Sequence, residues 1–330
     1  MTDPIRERYD RFAHDEAPER SALYGEWAAG VSDDEQLRDV LRRLPETHRQ
    51  PPLVFAVSRL LGAPLEGYAA WRAFVLAHAD VLVAECATRS LQTTEPLRLA
   101  ALLPVLSEIE GPIALLELGA SAGLCLYPDR YSYRYVTAEG SERLAVDPHD
   151  GPSPVVLQSR VTGTMPSVRL PEVVWRGGID LAPLDAADDG DRRWLRGLVW
   201  PGESGRERRI EAALDIVAAD PPLLLAGDAA ERLEELLAMV PVGATPVVTT
   251  PGVLVHIPRR AREALVAQIQ GLPARWITID PPGLLDVWRP SVDATTWSGF
   301  VVALDGRVRA AADPLGRWWE WRAGDDVTAS

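Results

Sequence analysis

The chain contains no lysine and no asparagine, and all 34 of its basic residues are arginine. The missing lysine excludes Schiff-base chemistry, a pyridoxal-phosphate anchor and the G-x-x-x-x-G-K-[ST] phosphate loop, each of which needs that amine. Cysteine is almost absent too. Cys86 and Cys125 both sit in apolar stretches, so no disulfide framework or cysteine-based zinc site is expected, only two buried thiols. His14, His48, His78 and His149 have no metal-ligand spacing, and no metal site is indicated. No apolar run approaches the roughly 20 residues needed to span a bilayer. The opening MTDPIRERYD carries no apolar signal segment, so a cytoplasmic location without membrane contact is expected. A net charge of −14 argues against nucleic acid as a main partner, since that binding needs concentrated positive charge.

What is there divides in two. Residues 1 to about 110 read as an all-helical domain. Ser32-Asp33-Asp34-Glu35 has the S-x-x-E pattern of a capping box, followed by Leu37, Val40, Leu41 and Leu44 at helical spacing. Pro51 and Pro52 open a second such stretch, Glu66 to about Ser90 reads as one long helix, and Pro104 interrupts a leucine-rich one. From about 111 to 330, apolar runs alternate with helical stretches. The runs are Ile113 to Leu118, Val173 to Leu181, Leu223 to Ala226, Pro246 to Val248 and Trp276 to Ile279. This alternation predicts a doubly wound, mostly parallel α/β sheet of Rossmann-like type. Phe300 to Leu304, Asp305-Gly306 and Arg307 to Ala312 read as a terminal antiparallel hairpin with a two-residue turn. Trp200-Pro201 and Trp318-Trp319-Glu320-Trp321 read as packing anchors.

The most informative stretch is Ile113 to Leu126, IALLELGASAGLCL. A buried strand running into a glycine turn that opens a helix makes a ligand site, because glycine allows close backbone approach and a helix start offers free N–H groups. Two chemistries fit the letters. Gly119-Ala120-Ser121-Ala122-Gly123 matches the G-x-S-x-G nucleophile elbow, with Asp228 and His256 following in hydrolase order. Against this serine-hydrolase reading, the territory before the turn is helical and Glu117 would lie beneath the nucleophile. The other chemistry is a nucleotide-type site, Glu117-x-Gly119-x-Ser121-x-Gly123.

That second pattern resembles the [D/E]-x-G-x-G-x-G motif opening class I S-adenosylmethionine-dependent methyltransferases, with Ser121 in place of the middle glycine. Gly178-Ile179-Asp180-Leu181, LLLAGD ending at Asp228, and Val247 to His256 follow in the order of that fold's next strand ends. The resemblance implies that Asp180, with Leu181 beside it, accepts the ribose hydroxyls. It also implies that Asp228 accepts the adenine amino group while Ala229 offers its N–H to the ring, and that the segment holding Thr250 and His256 faces the transferred methyl. S-adenosylmethionine is then the cofactor and a small molecule the acceptor, enclosed by the helical domain. The whole chain further resembles a bacterial family of methyltransferase-like proteins classed as a domain of unknown function. The residues carrying this are Ser21-Ala22-Leu23-Tyr24, ELGASAGLCL, Asp129-Arg130-Tyr131, GIDLAPLD and Leu198-Val199-Trp200-Pro201.

Gly119 and Asp180 are 180 − 119 = 61 positions apart, where such sites usually leave about 20. An insertion is therefore expected near 127–170, with Tyr131 to Tyr135 as a strand of a hairpin laid over the site. Asp147, at 147 − 119 = 28 positions, is the rival ribose acid. Tyr127, Asp129 and Arg130 are candidate substrate contacts, and His256 is the candidate base. Asp220-Pro221-Pro222 and Asp280-Pro281-Pro282-Gly283 read as turns. Because no acid–base set stands out, an adenosyl- or nucleotide-binding protein without catalysis is the alternative to an enzyme.

Overall fold

The computed structural model describes residues 3–92 and 94–322. Helices α1 (Pro4–Arg11), α2 (Ala22–Asp33), α3 (Glu35–Arg42), α4 (Pro51–Leu60), α5 (Tyr68–Ala77), α6 (Ala79–Thr88) and α7 (Leu99–Leu106) come first. Strands β1 (Pro112–Leu118), β2 (Ser132–Val136), β3 (Glu142–Val146), β4 (Val156–Thr162) and β5 (Glu172–Asp180) follow. Then come α8 (Asp189–Gly197), α9 (Arg206–Ala219), β6 (Leu223–Ala226), α10 (Ala229–Ala238), β7 (Thr245–Pro251), α11 (Arg259–Gln270) and β8 (Arg275–Asp280). Strands β9 (Phe300–Leu304), β10 (Arg307–Ala312) and β11 (Trp318–Trp321) come last among the described residues. No helix among the described residues is long and apolar enough to cross a membrane.

Two compact units result, one from residues 3–92 with 187–211, the other from 94–186 with 212–322. The division thus falls before α7 and not near 110. All eight residues of α7, LAALLPVL, are buried, and a helix apolar on every side needs cover all round. Strands supply it: Tyr135 of β2, for example, donates its hydroxyl to the Ala100 carbonyl at 3.0 Å.

The helical unit is built on aromatic packing. Trp27 stacks on Trp71 at 5.0 Å between ring centroids, and Phe55 meets both edge-on. Trp200 joins this cluster through Phe12 and Tyr24, the anchoring role read from the sequence. Two local readings change. Ser32 does not cap α3: its hydroxyl bonds back to Ala29 O inside α2, and Asp34 caps α3 through the Leu37 N–H. The long helix over 66–90 is two helices, α5 and α6, separated at His78.

The sheet unit is mixed α/β. Among the described residues its eleven strands run in the order β3-β2-β4-β11-β10-β9-β8-β7-β1-β5-β6. Six of the neighbouring pairs are parallel and four antiparallel. β1 is central, with six of its seven residues buried, as a parallel strand covered on both faces must be. The terminal hairpin forms as read, turning at Asp305 (φ 52°) and Gly306 (φ 78°), the paired positive φ values of a type I′ turn.

Two expectations about the insertion are corrected. Residues 127–170 do not form a hairpin laid over a site. β2, β3 and β4 extend the same sheet, joined to the rest through β4 and β11. The tryptophan-rich tail supplies that joint, with Trp319 fully buried in β11. Nor does the glycine turn open an α-helix. It runs into a short 3-10 turn, Leu124–Leu126, and then to β2.

Candidate functional site

Open parallel sheets bind ligands beyond the carboxyl ends of strands, where the strand order reverses. Here that place lies between β1 and β7: β5 and β6 extend one way from β1, β7 and β8 the other. Glu117, second from the end of β1, lies in register with Gly178 on β5 and Thr249 on β7. It is 4% exposed, and its Oε2 has no hydrogen-bond partner among the described residues. Burial, opposed by the Arg98 guanidinium and reinforced by Asp180, pushes its carboxyl up to about 8. The Cys125 thiol lies against it and is itself buried.

The turn beyond β1 is tightly built. Gly119 has φ 74°, and a Cβ there would meet Val253 Cγ2 at 2.6 Å, so only glycine fits between β1 and the segment after β7. The N–H groups of Gly119 and Ala120 both donate to Ile179 O, at 2.8 and 3.1 Å. Asp180 Oδ2 accepts from the Ser121 N–H at 2.8 Å and Oδ1 from the Ala182 N–H at 2.9 Å. Asp180 therefore locks the turn onto β5. Ser121 takes a positive φ of 53°, rare for a residue with a Cβ; it is 4% exposed, and its hydroxyl accepts from Thr94 Oγ1 at 2.7 Å. Gly123 closes the turn with φ 76°.

The other sequence candidates are placed as follows. Asp228 is the exposed N-cap of α10, accepting from the Ala230 N–H at 2.8 Å, with Ala229 the first helical residue. Leu181 is 78% exposed. Asp147 directly follows β3, the edge strand farthest from β6, and is held by Arg134 and by the Ser132 hydroxyl. Asp129 pairs with Arg176 at 2.7 Å, and the same guanidinium lies 4.7 Å from the ring centre of Tyr127. Tyr127 donates its hydroxyl to Asp220 O, while Arg130 is exposed. Thr250 is fully buried and accepts from the Trp276 indole N–H at 3.2 Å. His256 is exposed on the turn after β7; partial desolvation and the Arg98 charge lower its affinity for a proton.

Replacing Asp228 by Ala is expected to cost about 1 kcal/mol of stability, and by Ser almost nothing, since serine caps as well. Chemical denaturation of the two variants checks this.

Two important residues were not singled out by sequence. Arg98 is 8% exposed and donates to Pro251 O at 2.8 Å and Pro314 O at 2.9 Å. Its charge acts on Glu117, Asp280 and His256 alike. Asp280, read as a turn residue, is 0% exposed at the end of β8, and neither carboxylate oxygen has a hydrogen-bond partner among the described residues. Glu117 aligns with Thr249 and Thr249 with Ile277. Asp280 lies three positions beyond Ile277, so strand alternation sends the two carboxyls to opposite faces. Arg98, bonded at the end of β7 between them, serves both.

Residues 6–321 match the family described as "Uncharacterized protein conserved in bacteria (DUF2332)". The chain belongs to that family. The DUF2332 match spans both compact units, so the helices, the glycine turn and the buried acids are all within it. No curated protein and no solved structure matches the chain.

Proposed function

We propose that this DUF2332 protein is an S-adenosylmethionine-dependent methyltransferase acting on a small-molecule acceptor. The observation that carries the reading is Glu117: a buried carboxyl with a free oxygen, at the strand end where the sheet order reverses. An isolated buried acid is costly, and a ligand bearing positive charge and N–H donors offsets that cost. S-adenosylmethionine has both, a sulfonium and an ammonium. The run β6-β5-β1-β7-β8 supports it, since it repeats the 3-2-1-4-5 order of a doubly wound nucleotide-binding sheet. Asp180 then acts by holding the turn in shape, and the free oxygen of Glu117 takes the direct contact.

Methyl transfer needs little from the protein beyond aligning donor and acceptor and excluding water. A buried cluster of Glu117, Arg98 and Cys125 suits that role better than hydrolysis does. Ser121 has the positive φ of a strained elbow, but its hydroxyl is bonded to Thr94 and Asp228 is spent on a helix cap.

Titration calorimetry with S-adenosylmethionine and S-adenosylhomocysteine tests the reading. One-to-one binding with a dissociation constant of about micromolar order is expected. Heat from neither ligand, with labelling of Ser121 by a fluorophosphonate, supports the hydrolase instead. Binding without methyl transfer across a panel of acceptors supports a non-catalytic adenosyl-binding protein.

A further inference from the structure

The segment between β8 and β9, residues 281–299, holds no helix or strand of its own. A structureless connection of that length is uncommon in a compact domain and usually functional. It leaves the carboxyl end of β8, a strand parallel to β7, and that is the side of an open sheet where ligands bind. The segment is also pinned. Buried Trp288 donates its indole N–H to Thr278 Oγ1 at 3.4 Å, and the Arg289 N–H bonds to Gly306 O at 2.7 Å.

Between this segment and α11 lies a cavity of about 340 Å³, a volume within the range of small-molecule sites. Residues 283–287 form one wall. The other is a single stripe of α11, from Arg259 through Arg262 and Val266 to Gln270, at the spacing that puts side chains on one helix face. Val266 and Leu285, 5% and 9% exposed, give the cavity an apolar part.

Arg262 gives it a polar one. Its Nη1 donates to Ile257 O at 3.0 Å and to Leu254 O at 3.4 Å, which fixes the plane of the guanidinium. Its Nε and Nη2 have no acceptor among the described residues, and neither is sealed from solvent. Those two nitrogens form an edge that can hold a carboxylate by two parallel bonds. No acid among the described residues takes that edge. Glu263 pairs with Arg259 at 2.7 Å, and the charge of Asp286 also falls on Arg259. Asp280 is 0% exposed, and burial holds its proton against the charges of Arg98 and Arg262.

We propose that this cavity binds a small monocarboxylate with an apolar tail, the carboxylate on the Nε–Nη2 edge of Arg262 and the tail against Val266 and Leu285. An ammonium meets a like charge there, and a neutral alcohol forms one bond in place of two charge-assisted ones. The site does not depend on the adenosyl reading, since no residue of the glycine turn lines the cavity.

The test titrates the full chain with hexanoate, with hexanol, hexylammonium and acetate as controls and no adenosyl compound present. Hexanoate is expected to bind at least about tenfold more tightly than hexanol. Acetate is expected to bind about fourfold more weakly for each buried methylene it lacks. Arg262→Met keeps the apolar stem and is expected to lose the tenfold preference for the acid over the alcohol. Ala267→Trp, at an exposed position of the wall, fills the cavity and is expected to abolish binding with Arg262 intact. In wild type carrying nitrogen-15 at arginine Nε, one signal is expected to move with hexanoate and not with hexanol, a readout independent of how the variants fold. Hexanol or acetate binding as tightly as hexanoate, hexylammonium binding more tightly, unchanged binding in either variant, or an unmoved arginine signal overturns the proposal. Adenosyl binding is measured separately, so either reading can fail alone.

Discussion

Replacing Glu117 by Gln is expected to make the protein more stable above about pH 8 and to weaken adenosyl binding sharply. The folded protein holds the Glu117 proton up to about pH 8, whereas an ordinary glutamate releases it near 4.5. Between those values the native state binds more protons than the unfolded chain, so stability falls as pH rises through the window. Below 4.5 both states are protonated and the group contributes nothing; above about 8 the penalty is complete. Integrated across the window it is of order 5 kcal/mol. Glu117→Gln keeps the shape of the side chain and removes the charge, so denaturation midpoints should show a flatter slope across the window. Buried Asp280 acts in the same direction, so some slope is expected to survive. Loss of one charge-assisted hydrogen bond predicts roughly 10- to 100-fold weaker ligand binding. Unchanged stability slopes and unchanged affinity would together remove Glu117 from the site.

Gly119→Ala carries the second large effect. Its left-handed φ of 74° costs an L-residue roughly 1–2 kcal/mol. The new Cβ, 2.6 Å from Val253 Cγ2, adds an overpacking cost of about 1–3 kcal/mol. The sum predicts a loss of about 2–5 kcal/mol in denaturant unfolding. In a Val253→Ala background the clash is relieved and only the backbone part remains, so a double-mutant cycle separates the two. A single variant within about 0.5 kcal/mol of wild type contradicts the close approach of the turn to the segment after β7.

Much of the sheet was legible because apolar runs bounded by glycine and proline are local signals. Strand β5, the terminal hairpin and helices α10 and α11 all lie where periodicity puts them. Long-range pairing is not a local signal. Nothing in Trp318-Trp319-Glu320-Trp321 says that it bridges β10 to β4, or that the excursion after the glycine turn returns to the same sheet. The site was half legible. Glu117 stood out as an acid in an apolar run, and its burial follows from that. Asp180 and Asp228 have the right chemistry for a ligand, but backbone N–H groups two residues ahead claim an oxygen of each. Asp280 was hidden for the opposite reason: two prolines read as a turn, yet those same prolines are what leave its oxygens without a local donor. Arg98 was invisible because an arginine opening an apolar helix normally points to solvent, and only the fold turns it inward.

A crystal structure grown with S-adenosylhomocysteine tests the central claim most directly. Ligand density against Gly119 to Gly123, with a donor of the ligand on the free oxygen of Glu117, is the expected result. Ligand bound elsewhere, or a turn that stays packed against Val253 with no ligand at saturating concentration, contradicts it.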